Sequence, residues 1–245
     1  MKKIINGMIC VAAIVSFSAM AEAAKYKEVD VKDGGSLSGK VAAGSTAAKT
    51  KSYTISKDPQ ICGEGNRDVQ IVEIKDGVVK NSVVYLHKVK EGKAFPKELM
   101  KVSLDQKKCA FEPAFSVMAN KGELTAVNSD GTLHNIHTYE LIGKARRTLM
   151  NVSQPSKGDT VTKKVKMRKG TGMKIECDAH DFMHAYMFVA SSPYYSVVNE
   201  KGEFKIDNVP AGEYDVRLWH GFLGETKVGK IKITAGGDTK KNLSF

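Results

Sequence analysis

Two short stretches concentrate the residue types that bind transition metals. One reads Asn128-Ser-Asp-Gly-Thr-Leu-His134-Asn135-Ile-His137, the other Cys177-Asp-Ala-His180-Asp-Phe-Met183-His184. A thiolate and two imidazoles form a trigonal donor set, and a thioether adds a weak axial fourth. Soft sulfur suits Cu(I), whereas imidazole also tolerates Cu(II). A site acceptable to both states does one-electron chemistry at low reorganisation cost. His134, Cys177, His180 and Met183 are therefore the candidate ligands of one copper ion. His137 and His184 lie near the same motifs and are candidates to replace Met183 or to hold a second metal. Each residue also has an ordinary reading: a turn histidine at 134, an inert buried thiol at 177, a surface histidine at 180, a packing methionine at 183.

Counting excludes other chemistries. A binuclear copper-thiolate centre needs two cysteines on the ligand loop, and only Cys177 is there. His134 and His137 are spaced H-x-x-H, not the paired His-x-His of a multicopper oxidase. C-x-x-C-H for haem attachment and G-x-S-x-G for a hydrolase are both absent. Structural zinc sites usually show paired C-x2-C spacings, also absent. The chain reads as an electron carrier without substrate turnover, not as an enzyme.

The elements that must position these residues are β-strands. Short runs alternate apolar and polar residues, as in VQIVEI, SVVYLHKV, ELTAVN, MKIEC, YMFVA and YDVRLWH, with Gly, Pro, Asn and Asp between them. No long stretch carries a 3.6-residue apolar period. ELTAVN leads into the first histidine, MKIEC delivers Cys177, and YMFVA leaves after Met183. Residues 139–156 are less regular and suggest a short helix or a long loop.

These motifs resemble the cupredoxin family, which includes plastocyanin and azurin. Its pattern is an N-x-D strand end, a His-Asn pair, then C-x2–4-H-x2–4-M. The resemblance covers roughly residues 97–192 and implies a Greek-key β-sandwich. It also implies that Asn135 hydrogen-bonds the two ligand loops together. The flanking pieces, GGSLSGKV near the start and GEFKIDNVPAGEYDVRLWH near the end, resemble the carboxypeptidase regulatory-like, or prealbumin-like, sandwich. The whole layout is similar to exported plastocyanin-like proteins joined to such a sandwich. That group often carries histidine where Ala114 stands, and proline-tryptophan where Asp181-Phe182 stand. The expected architecture is all-β: a regulatory-like sandwich of residues 24–96 plus 193–245, with a cupredoxin domain of residues 97–192 inserted in it or lying beside it.

The N-terminus expects export. Lys2 and Lys3 precede an uncharged, mostly apolar run from Ile4 to Phe17, and Ala21-Glu22-Ala23 supplies a cleavage site. Residues 1–23 read as a cleaved signal, and no other stretch is apolar enough to span a bilayer. The periplasm or cell surface follows as the expected location. There, disulfides form. Of Cys62, Cys109 and Cys177, pairing the first two leaves Cys177 free for metal. A loop of about 47 residues closed this way stabilises by roughly 3–4 kcal/mol in the chain-entropy account. Net charge is +11 for the whole chain, and +10 without Lys2, Lys3 and Glu22. This surplus suits an acidic docking face on a redox partner such as a c-type cytochrome. Few aromatics and no recognised motif argue against nucleic acid. The alternative functions are copper delivery without a redox role and a surface-associated binding protein.

Overall fold

The computed structural model describes residues 26–245. The expected signal, residues 1–23, lies outside them. Among the described residues no helix is long and apolar enough to cross a membrane. The chain is an all-β protein built as stacked sandwiches. Its helical content here is one turn at Pro59–Cys62 and a 3-10 turn at Lys97–Met100.

The first sandwich faces a five-stranded sheet with a four-stranded one. The larger sheet runs in the order Phe115–Ala119, His184–Ala190, Gly172–Glu176, His134–Ile142, Ala145–Gln154. The smaller runs Ala110–Glu112, Lys101–Lys107, Glu123–Asn128, Thr160–Lys164. Leu104, Phe111, Met118, Leu124, Ile136, Met173, Ile175 and Met187 fill the space between them. Two-residue alternation explains this core: in Glu123–Asn128, the residues Leu124, Ala126 and Asn128 are buried and those between are not. Residues 139–156 form no helix. They are two paired strands, His134–Ile142 and Ala145–Gln154, turning through Gly143 at φ 58°. Ala145–Gln154 is an edge strand exposed on much of its length, so it carries little apolar alternation to read.

The second sandwich is assembled from both ends of the chain. Ser82–His87 pairs with Tyr195–Val197 on one side and Gly212–His220 on the other, and Gly224–Ile233 completes that sheet. Facing it, Gly35–Ala42 pairs with Glu203–Val209, Asp238–Lys240 and Leu243–Ser244. Leu37, Leu86, Tyr194, Phe204, Val216 and Leu218 form its core. The sandwiches meet through Val83, Tyr85, Phe188, Ala190 and Trp219. An arm, the hairpin Lys49–Thr54 and Asn66–Val72 with Pro59–Cys62 between its strands, reaches from the second sandwich to the first. The Cys62–Cys109 disulfide fastens it there.

Candidate metal centre

Two loops meet at one pole of the first sandwich. His137 pairs with Glu176, so the beginning of His134–Ile142 and the end of Gly172–Glu176 lie side by side. His134 opens the first strand, and Cys177 follows the second. The loop from Cys177 to Met183 folds back on itself: Met183 N–H donates to His180 O (3.1 Å), and Cys177 N–H to Met183 O (3.4 Å). Asn135 locks the two loops, accepting Asp178 N–H at 2.6 Å and donating to the Asp178 carboxylate at 3.0 Å.

Three donors converge. His134 Nδ1 and His180 Nδ1 are 3.2 Å apart, and Cys177 Sγ lies 3.9 Å and 3.8 Å from them. All three residues are buried. The three atoms lie on a circle of radius about 2.1 Å, which matches metal–nitrogen and metal–thiolate bonds of roughly 2.0–2.3 Å in zinc proteins.

The far side of each imidazole is held by a carboxylate. His134 Nε2 contacts Asp130 Oδ2 at 2.9 Å, and His180 Nε2 contacts Asp58 Oδ2 at 2.9 Å. For both acids, burial opposes ionisation but hydrogen bonds outweigh it, and the carboxyls sit below their ordinary range. The Cys109 N–H and His134 do this for Asp130, and Thr132 and His180 for Asp58. Ionised carboxylates only accept, so each Nε2 carries the proton and each Nδ1 presents its lone pair inward. Two facing lone pairs 3.2 Å apart repel unless a cation or proton sits between them. Burial pushes the His180 imidazole below its usual range and so disfavours the proton. Burial likewise raises the Cys177 thiol, opposed by the backbone N–H groups of Asn135, Ala179 and His180 aimed at its sulfur. A metal cation resolves both tensions, and this donor set fits copper.

Met183 is buried in the same core cluster, beside Cys177 and Phe182. His137 and His184 are not brought to this cluster. Along His134–Ile142 the side chains at 134 and 136 face the core, and those at 135 and 137 face away. His137 bonds Asp178 at 3.0 Å and stacks on Tyr139 with ring centres 4.1 Å apart. His184 pairs across the sheet with Glu176 and bonds Tyr53 Oη at 2.8 Å. Both occupy the outer face. His180 is not the surface histidine of its ordinary reading: it is only 1% exposed, and the arm places Asp58 over it.

Asp58 and Tyr53 have no place in a search of the ligand motifs, since both come from the arm. Asp58 lies four residues before Cys62 in SKDPQICG, so the Cys62–Cys109 pairing carried the signal that this segment reaches the pole. Asp130 stood inside the N-x-D strand end. His87 and His220 belong to the second sandwich, where His220 Nδ1 accepts the N–H groups of Phe222 and Leu223.

Residues 178–241 match a family described as polysaccharide lyase family 4, domain II. The match begins in the loop after Cys177, takes in His184–Ala190 of the first sandwich and runs through strands of the second, where the sequence had suggested the carboxypeptidase regulatory-like family. No curated protein matches the chain. Among solved structures, a purple cupredoxin from Nitrosopumilus maritimus aligns at 15% identity and TM-score 0.31, covering 36% of this chain and 99% of that one. The copper-containing nitrite reductase of Thermus scotoductus SA-01 aligns at 15% identity and TM-score 0.30, covering 40% and 24%. A reduced Cu(I) form of amicyanin aligns at 18% identity and TM-score 0.30, covering 36% and 81%.

Proposed function

We propose that this protein would hold one copper ion between His134, Cys177 and His180, with Met183 as a weak fourth donor, and pass single electrons between protein partners. The observation that carries the reading is the buried triangle of two Nδ1 atoms and one Sγ, at the right size for a metal. When bound, copper supplies a one-electron couple between Cu(II) and Cu(I). The chain's own residues do the rest. Asp130 and Asp58 fix the tautomer and orientation of the imidazoles. Three backbone N–H groups stabilise charge on the Cys177 sulfur. Asn135 and the disulfide-bound arm keep the donors from relaxing. Burial excludes water that would compete for the open positions.

With His180 covered, its hydrogen bond to Asp58, whose side chain is 34% exposed, would link a bound copper to the surface. The partner, a redox protein such as a c-type cytochrome, docks with an acidic face against the basic surplus of the chain, in the periplasm or at the cell surface. The metal sandwich is a guest, residues 97–192, in a second sandwich of residues 24–96 plus 193–245. The pairing of Ser82–His87 with strands beyond residue 192 supports that division.

Copper-loaded protein should show an intense thiolate-to-copper band in the visible, and a reversible one-electron wave. Cys177→Ser should abolish both. Copper protein with neither signal ends this reading.

A further inference from the structure

One side of the metal sandwich is open along two sheet edges. Ala145–Gln154 pairs only with His134–Ile142, and Thr160–Lys164 only with Glu123–Asn128. Between them runs a groove of about 340 Å³, walled by Leu149, Met150, Val152 and Val165, with the exposed Lys163 and Lys164 at its lip and no acid in its lining. The first edge is bulged: Met150 stands opposite Thr138 and Thr148 opposite Tyr139, so Leu149 has no counterpart. A bulge breaks the two-residue alternation, and here Leu149 and Met150, both half-buried, line the groove together. Thr138, fully buried, lines it too, and its Oγ1 finds no hydrogen-bond partner. Arg147 donates to Lys166 O and closes one end of the edge, which leaves residues 148–153 with an unpaired row of backbone donors and acceptors. Such a row beside apolar sockets is what strand addition uses.

We propose that residues 148–153 are a docking edge for an extended acidic segment of a partner protein. The segment adds a strand to the five-stranded sheet, seats apolar side chains in the groove and sets carboxylates against Lys163 and Lys164. Charge selects this occupant. A second copy of this chain would bring the same two lysines against themselves, and like charges at a sheet edge oppose such pairing. An acidic strand turns that repulsion into attraction. The edge ends beside the metal centre, where Gln154 pairs with His134. An added strand therefore lies two strand spacings, about 10 Å, from the strand that carries this histidine. The docking edge stands on backbone and groove, independently of copper.

The test is fluorescence anisotropy with a labelled eight-residue peptide of alternating glutamate and valine, on the full chain and on Cys177→Ala. Both should bind it equally, so a failure of the electron-transfer reading leaves this result untouched. Binding should weaken with ionic strength. It should weaken by roughly tenfold or more in Lys163→Glu/Lys164→Glu, where like charges then face each other. Both changes fall at exposed positions and spare the core. Amide hydrogen exchange at residues 148–153 should slow in the complex, and a peptide N-methylated along one edge, unable to pair, should not bind. No binding at millimolar peptide overturns the proposal. So does equal binding of a lysine–valine peptide or of the N-methylated one, or unchanged exchange along the edge. A dimer in sedimentation that Leu149→Glu dissolves would assign the edge to a second copy and overturn it as well.

Discussion

Asp58 and Asp130 are the residues on which the behaviour of the site turns. Each carboxylate accepts from the Nε2–H of a proposed ligand histidine at 2.9 Å. That contact raises ligand basicity and so favours the more charged Cu(II). Asp58→Asn keeps the size of the side chain and removes the charge. Its midpoint potential should rise, and Cu(II) affinity should fall by roughly 10–100-fold, the usual effect of losing an outer-sphere partner. Voltammetry with a Cu(II) competition assay checks both, and an unchanged potential would show the contact to be electrostatically idle. Asp130→Asn should in addition lose stability, since Asp130 also accepts the Lys108 and Cys109 N–H groups at 2.7 and 2.8 Å. In contrast, His137→Ala and His184→Ala should leave copper stoichiometry at one, because both side chains lie on the outer face of the sheet. The donor types and their order were legible in the sequence because H-N and C-x-x-H-x-x-M crowd into two short runs. Asp58 was not, because it reaches the site through a disulfide across 47 residues.

Strands carried most of what the sequence could say about the elements. Alternation marked Glu123–Asn128 because one of its faces is dry and the other is not; in His184–Ala190 it holds only at the start, since Phe188 and Ala190 are buried in the seam on the opposite face. It failed for Ala145–Gln154, an edge strand with little buried surface. It also could not show which histidines share a face until register was known, since one residue of slip exchanges the two faces. A second invisible tie is Glu140. It is fully buried, accepts the N–H groups of Arg168, Lys169 and Gly170 at 2.8, 2.6 and 2.7 Å, and pairs with Arg147. It thereby fastens the loop that leads into Gly172–Glu176, the strand that delivers Cys177. Burial opposes its charge, but these bonds win and its carboxyl lies below the usual range. The stability it provides is present above the unfolded glutamate value and is lost as pH falls through the lower folded one. Glu140→Gln should cost about 3 kcal/mol at pH 7, the order expected for breaking a buried charge pair. The deficit, read from urea midpoints, should shrink in acid. A deficit that stays constant with pH would place the loss in packing.

The whole molecule joins two sandwiches through an aromatic seam in which Phe188 packs on Tyr85 and Trp219, with ring centres 5.1 and 5.5 Å apart. His220 ends the strand that carries Trp219, and it is 5% exposed. Burial lowers its imidazole to about 4, against roughly 6.5 in an unfolded chain. Between those values the unfolded chain takes up a proton that the folded chain refuses. Stability therefore falls as pH drops from about 6.5 to about 4, by about 3 kcal/mol from this group. His220→Asn retains an acceptor for the Phe222 and Leu223 N–H groups while removing the titration. Unfolding midpoints at pH 7 and pH 4.5 should thus converge in the variant relative to the parent, and an equal slope in both would mean the imidazole is already protonated in the fold. The same strand's partner, Ser82–His87, belongs to the second sandwich, so loosening the seam bears on the platform under the metal loops and not on the ligands themselves. Acid should weaken the joint between sandwiches before it reaches the Cys177 pocket: the Trp219 fluorescence transition of the copper-loaded protein should precede loss of the thiolate–copper band on descending pH. Simultaneous loss would mean that the two sandwiches unfold as one cooperative unit.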